Sequence, residues 1–169
     1  MVIKPEECMI IECVPPAIFC FFFAHSSAWI LVLAALAYQE MRMFGILLGA
    51  SSIASAMHWA NFETNSWYAW FDKGLALSVF LYMCRGQDGL LFWGIFSLTV
   101  FCFLKGRRVF LLQQWSRHMI WHAAFRFCAF WTVCIFLQKT RPLFVVWWSL
   151  LYWSHFLASY CLFVKSNGK

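Results

Sequence analysis

The sequence predicts an all-α fold, a polytopic integral membrane bundle of about six transmembrane helices forming one domain over residues 1–169. Three observations predict it. Apolar runs recur along the whole length, brief polar connections separate them, and 63% of residues are hydrophobic against 12% charged, with a mean hydropathy of +0.70. That balance excludes a soluble globular domain.

Crossing the hydrocarbon takes about 20 apolar residues, and each run meets this in its own way. The first, roughly 16–38, follows "MVIKPEECMIIECVPP", which is acidic and lacks a basic n-region, so it is expected to be a retained span rather than a cleaved signal peptide. The second, roughly 43–61, comes after "QEMR" and contains "GILLGASSIASAMH". There Gly45 and Gly49 form a small-xxx-small pair, and Ser51, Ser52, Ala54 and Ser55 keep the surface slim, which predicts a central helix. The third, roughly 67–85, follows "NFETNS" and carries Asp72; the fourth, roughly 89–104, follows "RGQD" and is the shortest. A connection "KGRRVFLLQQWSR" leads to the fifth, roughly 117–138, and "QKTRP" to the sixth, roughly 142–164, where Pro142 occupies a first-turn position that a helix tolerates.

The net charge of +6 is a statement about topology rather than nucleic-acid binding, because the cations lie in connections and tails. With six spans the termini share a side, which collects Lys4, Lys105, Arg107, Arg108, Arg117, Lys165 and Lys169 against Arg42, Arg85, Lys139 and Arg141. This predicts termini facing the cytosol, or the matrix or stroma of an organelle. The cysteines at 8, 13, 20, 84, 102, 128, 134 and 161 form no C-x-x-C pair and are expected to be small core residues. The tryptophans are expected to form aromatic belts.

Ionisable residues inside a span are costly, so each is a candidate for function. His58 lies about a turn from the end of the second run and Asp72 about a turn into the third. In "RHMIWHAAFR" His118, His122 and Arg126 share one face by their four-residue spacing. All five are predicted in the leaflet nearer the termini; His25 and His155 lie deeper in the same half. Two histidines at i and i+4 plus a third from another helix supply the three protein ligands of a catalytic zinc site, with a carboxylate such as Asp72 to take or orient a water proton. Arg126 is a candidate for neutralising Asp72 or binding a lipid phosphate. Each residue also has a packing role open to it: Asp72 near a helix start favours the dipole, and Arg126 can snorkel.

"SAMH", "FDKGLALSVF" and "HMIWH", in that order, resemble the CREST superfamily of membrane hydrolases, which includes alkaline ceramidases and progestin and adipoQ receptors. The resemblance implies zinc held by His58, His118 and His122, with Asp72 as the family aspartate and Ser55 as its serine, hence hydrolysis of a lipid amide or ester and membrane lipids as partners. Two differences are visible. Ala54 stands where the family serine is expected, with Ser55 one residue nearer His58, and one span separates the aspartate run from the paired-histidine run where family members have more. A different class is a haem b anchor or accessory subunit of a respiratory-type assembly, packed against other membrane subunits. The hydrolase reading places the chain in an endomembrane, and the subunit reading in the mitochondrial inner membrane.

Overall fold

A computed structural model describes residues 16–62, 67–85, 87, 89–137 and 142–167. Those residues form six α-helices and no strand: α1 (Ala17–Glu40), α2 (Arg42–Ala60), α3 (Trp67–Met83), α4 (Leu90–Leu111), α5 (Trp115–Leu137) and α6 (Pro142–Asn167). Lys4, Lys139, Arg141, Lys169, Cys8 and Cys13 lie outside the described residues, as does the acidic start. Within them, α1, α2, α4 and α5 are long and apolar enough to cross a membrane. The chain is therefore a helical membrane protein. α3, at 17 residues, is shorter, and α6 is diluted in hydropathy by its Trp, Tyr, Ser and His residues.

The fourth helix differs most from its predicted extent. It continues beyond residue 104 through Lys105, Arg107 and Arg108 to Leu111. No proline interrupts this stretch, and long basic side chains are good helix formers that carry their charge outward. It ends in a left-handed cap at Gln113 (φ 55°), where the Gln113 N–H donates to Phe110 O at 2.9 Å and the Gln114 N–H to Val109 O at 3.0 Å. These two bonds are the Schellman pattern. The turn launches α5 so that His118 lies one turn inside it, its own N–H donating to Gln114 O at 2.8 Å.

The helices pack as two groups. In one, α1 and α2 run against each other with only Met41 between them, and α3 packs along α2. A reversal this short brings backbones together, and a Cβ added at Gly45 would collide with the backbone of Tyr38. The Ser52 hydroxyl donates to Ser27 O across the same seam. The other group is α4 with α5, joined by Thr99 Oγ1 and Thr132 Oγ1 at 3.1 Å and by Gly106 lying under Trp121 and His122. Small residues admit close backbones and short hydroxyl bridges satisfy polar groups, which is how helices associate where water offers no drive. α6 lies against α1 and α5, stacking Trp148 on Phe130 and donating from the Tyr152 hydroxyl to Ala123 O at 2.9 Å.

Gly45→Ala is expected to destabilise the fold by about 1–3 kcal/mol, the range for forcing volume into a filled contact. Gly49→Ala, whose added Cβ would stand 3.6 Å from that of Ala34, is expected to be nearly neutral. Thermal unfolding of both variants in detergent checks the pair; equal midpoints would contradict the close approach at Gly45.

Candidate functional site

Arg126 organises the polar centre. It sits two turns below His118 on α5 and is buried. Its Nη1 hydrogens are shared among Phe23 O (2.6 Å), Ser26 Oγ (2.6 Å) and Ser27 Oγ (2.7 Å), while Nη2 donates to Ser55 Oγ at 3.1 Å. The Ser26 and Ser27 hydroxyls pass their own hydrogens to Phe23 O, so every member of the cluster has a consistent direction. The guanidinium also lies 5.1 Å from the centre of the Phe23 ring. Ser55 accepts from Arg126 and stands beside the Asp72 carboxylate. Three helices thus deliver one guanidinium, one hydroxyl and one carboxylate to a single point.

Ser55, His58, Asp72, His122 and Arg126 all line a cavity of about 420 Å³, with walls from α1 to α5. The five make one polar end. The remaining wall is chiefly apolar, including Leu33, Val79, Met83, Phe96, Phe130 and Val133. A mostly apolar cavity with a few convergent polar groups is the usual form of a ligand site.

His118 stands beside this cavity rather than in its lining. Its ring is 5.3 Å from that of His122, as the i, i+4 spacing predicts, and its Nδ1 lies 2.9 Å from Gly106 O. A carbonyl only accepts, so Nδ1 carries the hydrogen and Nε2 presents its lone pair. That Nε2 is buried with no hydrogen-bond partner, and the same holds for His122 Nε2 and His58 Nδ1. Trp59 makes ring contacts with all three imidazoles, at 5.3, 6.5 and 5.1 Å for His58, His118 and His122.

The donor set fits zinc in its chemistry: three imidazoles, each leaving a buried nitrogen without a partner, one of them oriented by a backbone carbonyl as metal-bound histidines commonly are. In position the rings surround Trp59. Among the described residues no three His, Cys, Asp or Glu side chains converge closely enough to hold an ion.

His25 and His155 are placed elsewhere. They pair across α1 and α6 with their Nδ1 atoms 3.4 Å apart, and the Trp29 Nε1–H donates to His25 Nε2 at 3.4 Å. Sequence reasoning missed Ser26, Ser27 and Trp59. The adjacent serines inside the apolar first run were a readable signal, because hydroxyls at that depth need partners; nothing in the sequence singled out Trp59 among eleven tryptophans.

No family model, curated protein or solved structure matches this chain. Fold and site together define its class: a helical membrane protein with an amphipathic interior cavity.

Arg126→Met leaves Phe23 O, Ser26, Ser27 and Ser55 without their shared donor and Asp72 without its nearby positive charge, and is expected to cost about 3–5 kcal/mol. Ser55→Ala removes one acceptor and is expected to cost about 1 kcal/mol. Denaturant or thermal unfolding in detergent ranks the two, and comparable losses would refute the central role of the guanidinium.

Proposed function

We propose that this chain is a multi-pass, zinc-dependent intramembrane hydrolase that cleaves a lipid amide or ester, with all six helices embedded and the protein seated in an endomembrane. One observation carries the reading. Three buried histidine nitrogens, His58 Nδ1, His118 Nε2 and His122 Nε2, lack partners beside the polar end of an apolar cavity. An unpaired buried ring nitrogen is expensive, and a ligand that met these nitrogens, once the rings around Trp59 turned toward it, would remove that cost.

The resemblance of "SAMH", "FDKGLALSVF" and "HMIWH" to the CREST superfamily supports the same assignment, with His58, His118 and His122 as the holders of the metal. When bound, zinc lowers the pKa of a coordinated water and polarises a carbonyl oxygen. The chain's own residues supply the remainder. Asp72 offers a carboxylate oxygen to take a proton, Ser55 stands beside that carboxylate, and Arg126 holds Ser55 and balances the charge. The apolar walls exclude bulk water and receive the hydrocarbon of the substrate.

A second reading, an accessory or haem-anchoring subunit, is favoured by one feature. His25 lies exposed on the outside of the bundle and pairs with His155, a polar pair on a face that lipid would otherwise cover.

Metal content decides between them. The purified protein is expected to hold about one zinc per chain, lost together with lipid hydrolysis in His118→Ala/His122→Ala, whereas Asp72→Asn is expected to keep zinc and lose turnover. Iron with a Soret band would favour the subunit reading, and a wild type without zinc would sink the hydrolase.

A further inference from the structure

The cavity opens on one side, and exposure along its lining locates the opening. Leu77 on α3 is 59% exposed, and Val100 and Phe103 on α4 are each 40% exposed. Leu33, Met83, Thr99 and Phe130, deeper in the same cavity, are fully buried. The mouth therefore lies between α3 and α4. These two helices are consecutive in the chain, yet α3 packs along α2 and α4 along α5. Phe80 bridges the gap with an edge contact to Phe96 at 5.6 Å, which closes one end of the slot.

Depth shows what the mouth faces. Leu77 and Val100 are ten residues beyond the starts of their helices, about 15 Å along each axis. That is the middle of each helix, so with both helices embedded a rim of Leu77, Val100 and Phe103 looks into hydrocarbon, while the exposed Lys73, one turn nearer the start of α3, stands at its polar end. The space behind it is near the lower part of the roughly 300–1,000 Å³ range of ligand sites, which suits one chain. It ends at the apolar side chains of Leu33, Met83 and Val133 in one direction and at the Ser55, Asp72 and Arg126 cluster in the other.

We propose that the slot between α3 and α4 is a lateral portal through which a single fatty acyl chain slides from the bilayer into the cavity, its carbonyl end halting at the Ser55, Asp72 and Arg126 cluster. This deepens the hydrolase reading, on which it rests for the fate of the carbonyl, by naming the lipid group that reaches the site and its route. Selectivity then falls to the apolar end of the cavity, and access to the width between Leu77 and Val100.

The test uses the full chain in phosphatidylcholine vesicles with palmitic acid carrying a mid-chain diazirine, photolysed and mapped by peptide mass spectrometry. Adducts on deep residues such as Met83 and Val133, removed by excess unlabelled palmitic acid, are expected. Leu77→Trp/Val100→Trp is expected to lower them roughly tenfold by filling the mouth, while Leu90→Trp, at an exposed site away from the cavity, leaves them unchanged. Absence of competed interior adducts in the wild type, or interior labelling undiminished in the double variant, would overturn the portal. Interior labelling in a preparation that holds no zinc supports the portal and sinks the hydrolase reading alone.

Discussion

A guanidinium cannot be left unpaired in hydrocarbon, and much of this structure follows from how the chain meets that demand at Arg126. A lone charge at such depth costs several kcal/mol. The chain spreads it over a carbonyl and three hydroxyls from α1 and α2, with the carboxylate of α3 behind Ser55. Satisfying one residue of α5 therefore sets where α1, α2 and α3 stand relative to it. The close seam of α1 and α2 at Gly45, and the Ser52 bond across it, keep the acceptors in register.

The same cluster divides the cavity into two ends of different character. On one side are groups that hold protons and lone pairs, on the other chiefly hydrocarbon and aromatic rings, with the Thr99 hydroxyl engaged by Thr132. In a low-dielectric interior hydrogen bonds are electrostatically stronger than in water, which strengthens the bond from Arg126 to Ser55. Around it the aromatic shell of Phe23 and Trp59 fixes the imidazoles: Phe23 meets the His122 ring edge-on at 4.4 Å, and Trp59 touches all three. Rigid rings of this size leave the histidines few rotamers and few alternative partners.

Much of this was legible beforehand because membrane sequences are strongly constrained. Hydrocarbon forces every backbone group into a helix, so apolar runs translate almost directly into α1 to α6, and four-residue spacing placed His118, His122 and Arg126 on one face. The boundary of α4 was less legible, since Lys105, Arg107 and Arg108 read as a polar connection although nothing in them breaks a helix. Arg126 read as a residue for lipid phosphate or for Asp72, and in the fold its hydrogens are taken largely by α1 and by Ser55. The grouping of His25 with the other histidines by depth was only half of the matter, because depth ignores azimuth: His25 and His155 pair on the outside.

By itself, then, the sequence determined an all-helical membrane protein, the order of its helices and which ionisable side chains share a helix face, because hydropathy and helical period are local properties of the chain. Only the tertiary structure decided which helices pair, that Ser26 and Ser27 rather than a ligand hold Arg126, that Trp59 stands among three histidines, and that the cavity opens between α3 and α4. Those outcomes depend on contacts between residues about 70 to 100 positions apart, such as Ser55 and Phe23 with Arg126, and no local pattern encodes them.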